Sequence, residues 1–422
     1  MHYQVEPSSL SGYLTVPPSK SHTHRALLFA LLAEGTSVIH HPLDSPDTTA
    51  MLRVIEQFGA RVTQKEEVIE VEGVGGNLSH PEQIINAGNS GIILRFVSAL
   101  AALRPSHTLV TGDESICTRR PMNPLLGALE ELGSFAKSLG EDGFAPLAIR
   151  GPFKGGKCSL NGSDSQPVSA LLIAASFAKE PTEITVESPG EKPWIDLTLD
   201  WLNFLGLPYE NDDYTHYKIP GGGRCKGFTK TIPGDFSSLA FPLAAALITQ
   251  REISLENVDK SDIQGDKKLL DVLEKIGAKM TFEGKTLHIQ EGGPLQGMEV
   301  DINSMIDALP ILAVLGCYAQ GKMTLTGGAV AREKESDRIA VMAQELRKMG
   351  AEIEEKKDGL IIIPSPLHGA ELDSHGDHRV AMALTVAAMG AKGPSTVHNT
   401  ACIAKTYPKF KERFNNLGAK IT

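Results

Sequence analysis

The sequence predicts an α/β protein of two similar halves, each holding three copies of one mixed α/β unit. Three observations predict it. Helices that end in glycine recur at near-constant spacing. A second series of apolar helices interleaves with them. The length of 422 residues exceeds one ordinary hydrophobic core.

The glycine-ended helices read MLRVIEQFGARV, LLGALEELGSFA, LTLDWLNFLGLP, LLDVLEKIGAKM, VMAQELRKMGAEI and FKERFNNLGAKI. Their glycines are Gly59, Gly133, Gly206, Gly277, Gly350 and Gly418, stepping by 74, 73, 71, 73 and 68 residues. Each helix is amphipathic, and a glycine just past a helix suits a left-handed C-terminal turn. The second series is PSKSHTHRALLFALLA, GNSGIILRFVSALAAL, GSDSQPVSALLIAASFA, PGDFSSLAFPLAAALIT, IDALPILAVLGCYA and GDHRVAMALTVAAMGA. Each member opens on polar or charged residues and continues apolar on nearly every side, the pattern of a buried helix. Strand-like runs such as EVIEVEG, PLAIRG and DGLIIIP complete each unit.

Prolines mark where the halves part. Pro17-Pro18 and Ile232-Pro233 precede the first and fourth core helices at equivalent places. A residue before proline is pushed to extended backbone, so both are read as crossings between domains. The expected domains are 19–233, and 1–18 with 234–422. The first strand, around GYLTV, is expected to return to the second half.

Composition excludes several classes. A formal charge of −10 disfavours a nucleic-acid or anionic-membrane surface. The five cysteines are scattered without a CxxC pair, which fits a reducing compartment. MHYQVEPSSL has neither a basic nor an apolar region of a signal peptide, and no apolar run reaches the ~20 residues of a membrane span. A cytoplasmic location is expected.

Chemistry gathers at the helix starts. The core helices open on Lys20, Ser21 and Arg25; Asn89, Ser90 and Gly91; Ser163, Ser165 and Gln166; Asp235; Asp307; and Asp377, His378 and Arg379. The surface helices add Arg119 and Arg120, then Lys334, Glu335 and Arg338, then Lys405. Serine, aspartate and asparagine at such places are ordinarily N-caps, and Asp235 is read so. Cations there oppose the helix dipole, and several together call for an anion. Arginine forks match carboxylate and phosphate oxygens. The histidines His22, His24, His375 and His378 lack a metal-site pattern, and neighbouring cations would repel a metal.

These motifs have a familiar order. PSKSHTHRALLFALLAEG, GNSGIILR, RRPM, DSQPVSALL, KPWIDLTL, EKESDR, GDHRVAM and AKTYP resemble the motifs of the 5-enolpyruvylshikimate-3-phosphate synthase family of enolpyruvyl transferases, along essentially the full chain. The resemblance implies two domains, each of three βαβαββ units with buried parallel helices. Lys20 follows one crossing and Asp235 the other, so the active site is expected in the interdomain cleft, and the two-domain arrangement suggests that the cleft closes on binding. The resemblance also implies transfer of the enolpyruvyl group of phosphoenolpyruvate to the 5-hydroxyl of shikimate 3-phosphate, by addition and elimination, without metal or cofactor and as a monomer. Lys20 is implied to lie between the substrates. Ser21 and Arg25 would hold the shikimate carboxylate. Ser163, Ser165 and Gln166 would hold its phosphate and ring, with Asp307 and Lys334 also in the acceptor set. Asn89, Gly91, Arg120, Gln166, Arg338, Arg379 and Lys405 would hold phosphoenolpyruvate. Asp307 and Glu335, with Lys20, would transfer protons.

The chain departs from the family pattern in places. Asp164 stands where a first serine is usual, and Glu191 stands where a serine precedes the KPxID-like segment. Trp194 replaces a frequent tyrosine. Ile92 and Phe96 stand where threonine and proline are common, on the helix that shapes the glyphosate pocket, and are expected to weaken that inhibitor. A rival enzyme is the UDP-N-acetylglucosamine enolpyruvyl transferase, which carries a cysteine ahead of its RP motif. Cys117 lies in the corresponding loop, but DESICTRRP is a poor match, and the PSKS and DSQ entries favour shikimate 3-phosphate. A non-catalytic anion binder would have no use for Asp307 and Glu335, and a nucleic-acid enzyme would not be this acidic.

Overall fold

A computed structural model describes residues 1–291 and 294–422. The chain divides into two compact units. The first is Lys20–Ile232; the second joins Met1–Ser19 to Pro233–Thr422. Each has its own hydrophobic core.

The first unit contains α1 (Lys20–Leu32), α2 (Pro46–Gln57), α3 (Gly91–Ala101), α4 (Glu114–Thr118), α5 (Asn123–Glu131), α6 (Ser165–Phe177) and α7 (Lys192–Phe204). The second contains α8 (Phe236–Thr249), α9 (Lys268–Lys275), α10 (Leu309–Tyr318), α11 (Arg338–Lys348), α12 (His378–Gly390) and α13 (Phe410–Asn416). The apolar series forms α1, α3, α6, α8, α10 and α12, buried along most of their lengths. In the second unit, α8, α10 and α12 pack on one another; in the first, α3 packs on α6. The glycine-ended series forms the remaining helices apart from the short α4. All six of its glycines lie at φ between 68° and 107°, a conformation in which a side chain is strained.

Six four-stranded sheets share one plan: a parallel pair, then two antiparallel pairs. In four of the sheets the parallel pair is joined by a crossover through a buried helix, α3, α6, α10 or α12. Around α3, for instance, Ile85 pairs with Val110 in parallel, Thr108 with Ile149 antiparallel, and Phe135 with Arg150 antiparallel. The polar starts of those four helices follow the first strand of their own sheet, whereas α1 follows Gly12–Thr15, which pairs with Ile253–Glu256, and α8 follows Thr229–Thr231, which pairs with Val38–His40.

Three units borrow a strand from elsewhere in the chain. Gly12–Thr15 runs parallel to Ile253–Glu256, so the GYLTV segment does join the second unit. His2–Glu6 lies between Ser395–His398 and Lys420–Ile421. Thr229–Thr231 pairs with Val38–His40. The two proline segments bond to each other, Ser19 N–H to Pro233 O at 2.8 Å and Asp235 N–H to Pro17 O at 2.9 Å.

Candidate active site

In the first unit, Arg25 projects from the second turn of α1 and is 3% exposed. Its Nε and Nη2 donate to Thr198 Oγ1 at 3.0 and 2.9 Å, Nη2 also reaches Trp194 O at 3.3 Å, and Nη1 reaches Ser21 O at 3.3 Å. The guanidinium lies 5.2 Å from the centre of the Phe96 ring. Every one of these polar partners is a neutral oxygen. Burial pushes the Arg25 guanidinium down to about 9. A buried cation without a carboxylate beside it, among the described residues, calls for an anionic ligand. Lys20, at the start of the same helix, has its Nζ 3.9 Å from Asp47 Oδ2.

A second cluster forms where α3 and α6 begin. A Cβ on Gly91 would lie 2.9 Å from Arg95 Nη1, 3.1 Å from Gln166 Oε1 and 3.6 Å from Arg120 Nη1. The glycine thus keeps open the space into which two arginines and a glutamine converge. Arg95 also pairs with Asp164 at 3.2 Å and donates to Pro121 O at 3.3 Å. Asp164 caps α6, accepting from the Gln166 N–H at 3.0 Å. Ser165 gives both its N–H and its hydroxyl to Glu191 Oε2, at 2.9 and 3.0 Å. The Ser163 N–H donates to Asn161 at 3.0 Å. Asn89 turns its amide to Asp113 and Ser115, at 2.5 and 2.9 Å, so that side chain fastens the loop ahead of α4.

In the second unit, Arg338 is the hub. It opens α11, is 1% exposed, and meets three carboxylates: Asp307 at 2.7 Å, Glu335 at 2.9 Å and Asp377 at 2.8 Å. Asp307 also receives Arg379 Nη2 at 2.8 Å, and Glu335 receives Lys405 Nζ at 2.6 Å. Arg379 Nη2 further donates to Ser237 Oγ at 2.9 Å, while its buried Nη1 has no acceptor among the described residues. Burial opposes ionisation of Asp307, but Arg379, Arg338 and Lys334 outweigh it and hold the carboxyl below its usual range. Burial also opposes the charge on Arg338, and Asp377, Glu335 and Asp307 raise it above the ordinary arginine value. Asp266 behaves oppositely. Burial, with Asp307 and Asp235 nearby, pushes its carboxyl well up, against the pull of Arg379. Asp235 caps α8 through the Ser238 N–H at 2.8 Å and takes the Ser237 hydroxyl at 2.6 Å.

Glu335, Asp377 and His378 bring donor atoms within 4.8 Å of one another, a spacing that suits a metal. Both carboxylates are already engaged by Arg338 or Lys405, so the cluster is balanced by the protein's own cations. His22 is a core contact, accepting from Trp201 Nε1 at 3.1 Å.

The structure therefore draws the expected residues into two groups. Ser21 with Arg25, and Gly91 with Arg120 and Gln166, lie in the first unit. Asp307, Glu335, Arg338, Arg379 and Lys405 form one ion-pair network in the second, with Lys334 close enough to act on Asp307. Three participants were not singled out by the sequence: Arg95, Thr198 and Asp266. Arg95 is signalled as the lone charge in GIILRFVSALA. Asp377, named at its helix start from the sequence, proves to be a third carboxylate on Arg338. Thr198 and Asp266 carry no signal, since a threonine inside an amphipathic helix and an aspartate in QGDKK both read as solvated.

Comparison with known proteins shows the family of the chain. The family described as EPSP synthase (3-phosphoshikimate 1-carboxyvinyltransferase) matches residues 5–414. A 3-phosphoshikimate 1-carboxyvinyltransferase of Chlamydia abortus is 46% identical over 421 residues, covering 99% of this chain and 94% of that one. A second, from Acetivibrio thermocellus, is 43% identical over 422 residues, covering 100% and 99%. The solved EPSP synthase of Acinetobacter baumannii superposes with a TM-score of 0.82 at 30% identity, over 100% of this chain and 99% of that one.

Proposed function

Since the chain belongs to the EPSP synthase family and transfers the enolpyruvyl group of phosphoenolpyruvate to shikimate 3-phosphate in the shikimate pathway, we propose that the two groups of residues described above act jointly on that one substrate pair. The observation that carries this reading is Arg25, a buried guanidinium whose partners are all neutral oxygens.

Ser21 and Arg25 take the acceptor's carboxylate. Ser163, Ser165 and Gln166 take its phosphate and ring, with Lys334 adding positive charge. Gly91, Arg120 and Gln166 take phosphoenolpyruvate from the first unit, with the backbone beside Asn89. Arg338, Arg379 and Lys405 take it from the second, and the open Nη1 of Arg379 is a donor waiting for such an oxygen. Donors placed before the reaction need no reorganisation as charge shifts in the transition state.

The chemistry needs one group to take the 5-hydroxyl proton and another to protonate the substrate methylene. Asp307 is held ionised by Arg379 and Arg338, so it can accept the 5-hydroxyl hydrogen and cannot supply the methylene proton, although the same cations weaken it as a base. Lys20 and Glu335 are left for the methylene. Addition forms a tetrahedral adduct at C2 of the enolpyruvyl unit; its collapse expels phosphate and returns the methylene proton. A monomeric state and a cytoplasmic location belong to the same proposal; no described helix is long and apolar enough to cross a membrane.

The test is a set of single variants, Asp307→Asn, Glu335→Gln and Lys20→Met. Each should lower kcat by about 10²- to 10⁴-fold while both substrates still bind. A kcat within a few-fold of the unsubstituted enzyme would remove that residue from the chemistry.

A further inference from the structure

We infer that Glu191 weakens the hold on the acceptor's phosphate by occupying Ser165 as an internal anion, which makes it a specificity-determining residue. The inference rests on the assignment of Ser163, Ser165 and Gln166 to that phosphate and ring.

The geometry is specific. Glu191 stands at the N-cap position of α7 but makes no side-chain cap to that helix. It reaches instead to the first residue of α6 and takes both donors Ser165 has, the N–H at 2.9 Å and the hydroxyl at 3.0 Å. Its residue is 2% exposed. Those donors are what a phosphate at the mouth of α6 would use, because the first N–H groups of a helix have no partner inside it.

The backbone of the turn brings Glu191 to that helix start. The Gly162 N–H bonds to Glu187 O at 2.7 Å, and the Gly190 N–H bonds back to Gly162 O at 2.9 Å. Gly190 lies so close to Ser163 that an added Cβ would sit 2.6 Å from the Ser163 carbonyl oxygen. Glu191 itself is held at φ 46°, a left-handed conformation that residues with side chains seldom adopt. The 187–191 turn is thus held against the 162–165 segment by backbone contacts. Asp164 adds a second carboxylate at the same helix start, paired to Arg95 at 3.2 Å. A phosphate that binds here must displace one anion and lie beside another. The resulting repulsion acts on the acceptor's phosphate and spares its ring.

Calorimetry on the full chain tests this with shikimate 3-phosphate and with unphosphorylated shikimate. Glu191→Gln removes the charge and keeps an oxygen that accepts from Ser165, so it preserves the fold. Glu191→Ser removes the side chain's reach altogether. Both variants should bind shikimate 3-phosphate about tenfold tighter or more, with shikimate changed by less than about twofold. An unchanged ratio of the two dissociation constants in a Glu191→Gln protein with the starting Tm would overturn the inference and reduce Glu191 to a structural tie. No preference for the phosphorylated ligand in the unsubstituted protein, and none gained in Glu191→Gln or Glu191→Ser, would overturn the acceptor assignment, and this inference with it.

Discussion

Replacing Thr198 with valine isolates what positions Arg25. A hydroxyl has two acceptor sites and one donor. Thr198 uses both acceptor sites on Arg25, at 3.0 and 2.9 Å, and gives its proton to Ser169 Oγ at 2.9 Å. Valine keeps the shape and removes the oxygen. A hydrogen bond to a charged group contributes about 1.5–3 kcal/mol, and the Trp194 and Ser21 carbonyls still hold part of the guanidinium, so a total loss of about 3 kcal/mol is expected. For a unit of this size that is a fall in Tm of about 6–12 °C. A loosened arginine must also be reordered on each binding event, at a cost of about 1–2 kcal/mol, or roughly tenfold in affinity. The assay is steady-state kinetics with each substrate varied in turn, alongside thermal melting. KM for shikimate 3-phosphate should rise about tenfold with KM for phosphoenolpyruvate little changed. A lowered Tm with an unmoved KM for shikimate 3-phosphate would refute the reasoning and leave Arg25 as a core residue alone.

Two further predictions follow from the geometry. In Gly91→Ala the new Cβ meets Arg95 at 2.9 Å and Gln166 at 3.1 Å, both flexible side-chain ends, while the backbone angle tolerates alanine. The fold should hold and KM for phosphoenolpyruvate should rise about tenfold; an unaltered KM would take Gly91 out of that subsite. Asp266 and Asp307 should respond to pH with opposite signs. Asp266 has its folded value raised, so its ionisation penalises the folded state as pH climbs from the unfolded value through the folded one. Asp266→Asn should therefore raise Tm relative to the unsubstituted protein, more at pH 8 than at pH 4. Asp307 has its folded value lowered, so its contribution is present above the unfolded value and lost in acid. Asp307→Asn should lower Tm most at neutral pH and least in acid. Parallel Tm curves against pH would contradict both assignments.

The fold was largely legible because each unit repeats the same local signals. A glycine in the left-handed region ends every surface helix, and an apolar helix with a polar mouth opens every repeat. What the repeat hid was closure. His2–Glu6 and Thr229–Thr231 each complete a sheet whose other strands lie elsewhere in the chain, and a pairing of that kind leaves no periodic trace; the return of Gly12–Thr15 was expected, but not from the periodicity. In the site, Lys20, Arg25, Arg338 and Arg379 were legible because cations at helix starts oppose the dipole. Thr198 was not, because its value lies in two contacts across more than 170 residues of sequence. Asp266 was not, because its local sequence looks solvated while the fold buries it beside Asp307. Glu191 was visible only as a departure from a pattern; its seat on Ser165 depends on a turn held by tertiary contacts. Phe96, expected to matter for an inhibitor, also supports Arg25 with its ring, a contact made only when α1 and α3 meet.

The most direct measurement is release of phosphate from phosphoenolpyruvate with either shikimate 3-phosphate or UDP-N-acetylglucosamine as the acceptor. Release with shikimate 3-phosphate alone is the predicted result. Release with the sugar nucleotide alone, or with neither, would contradict it.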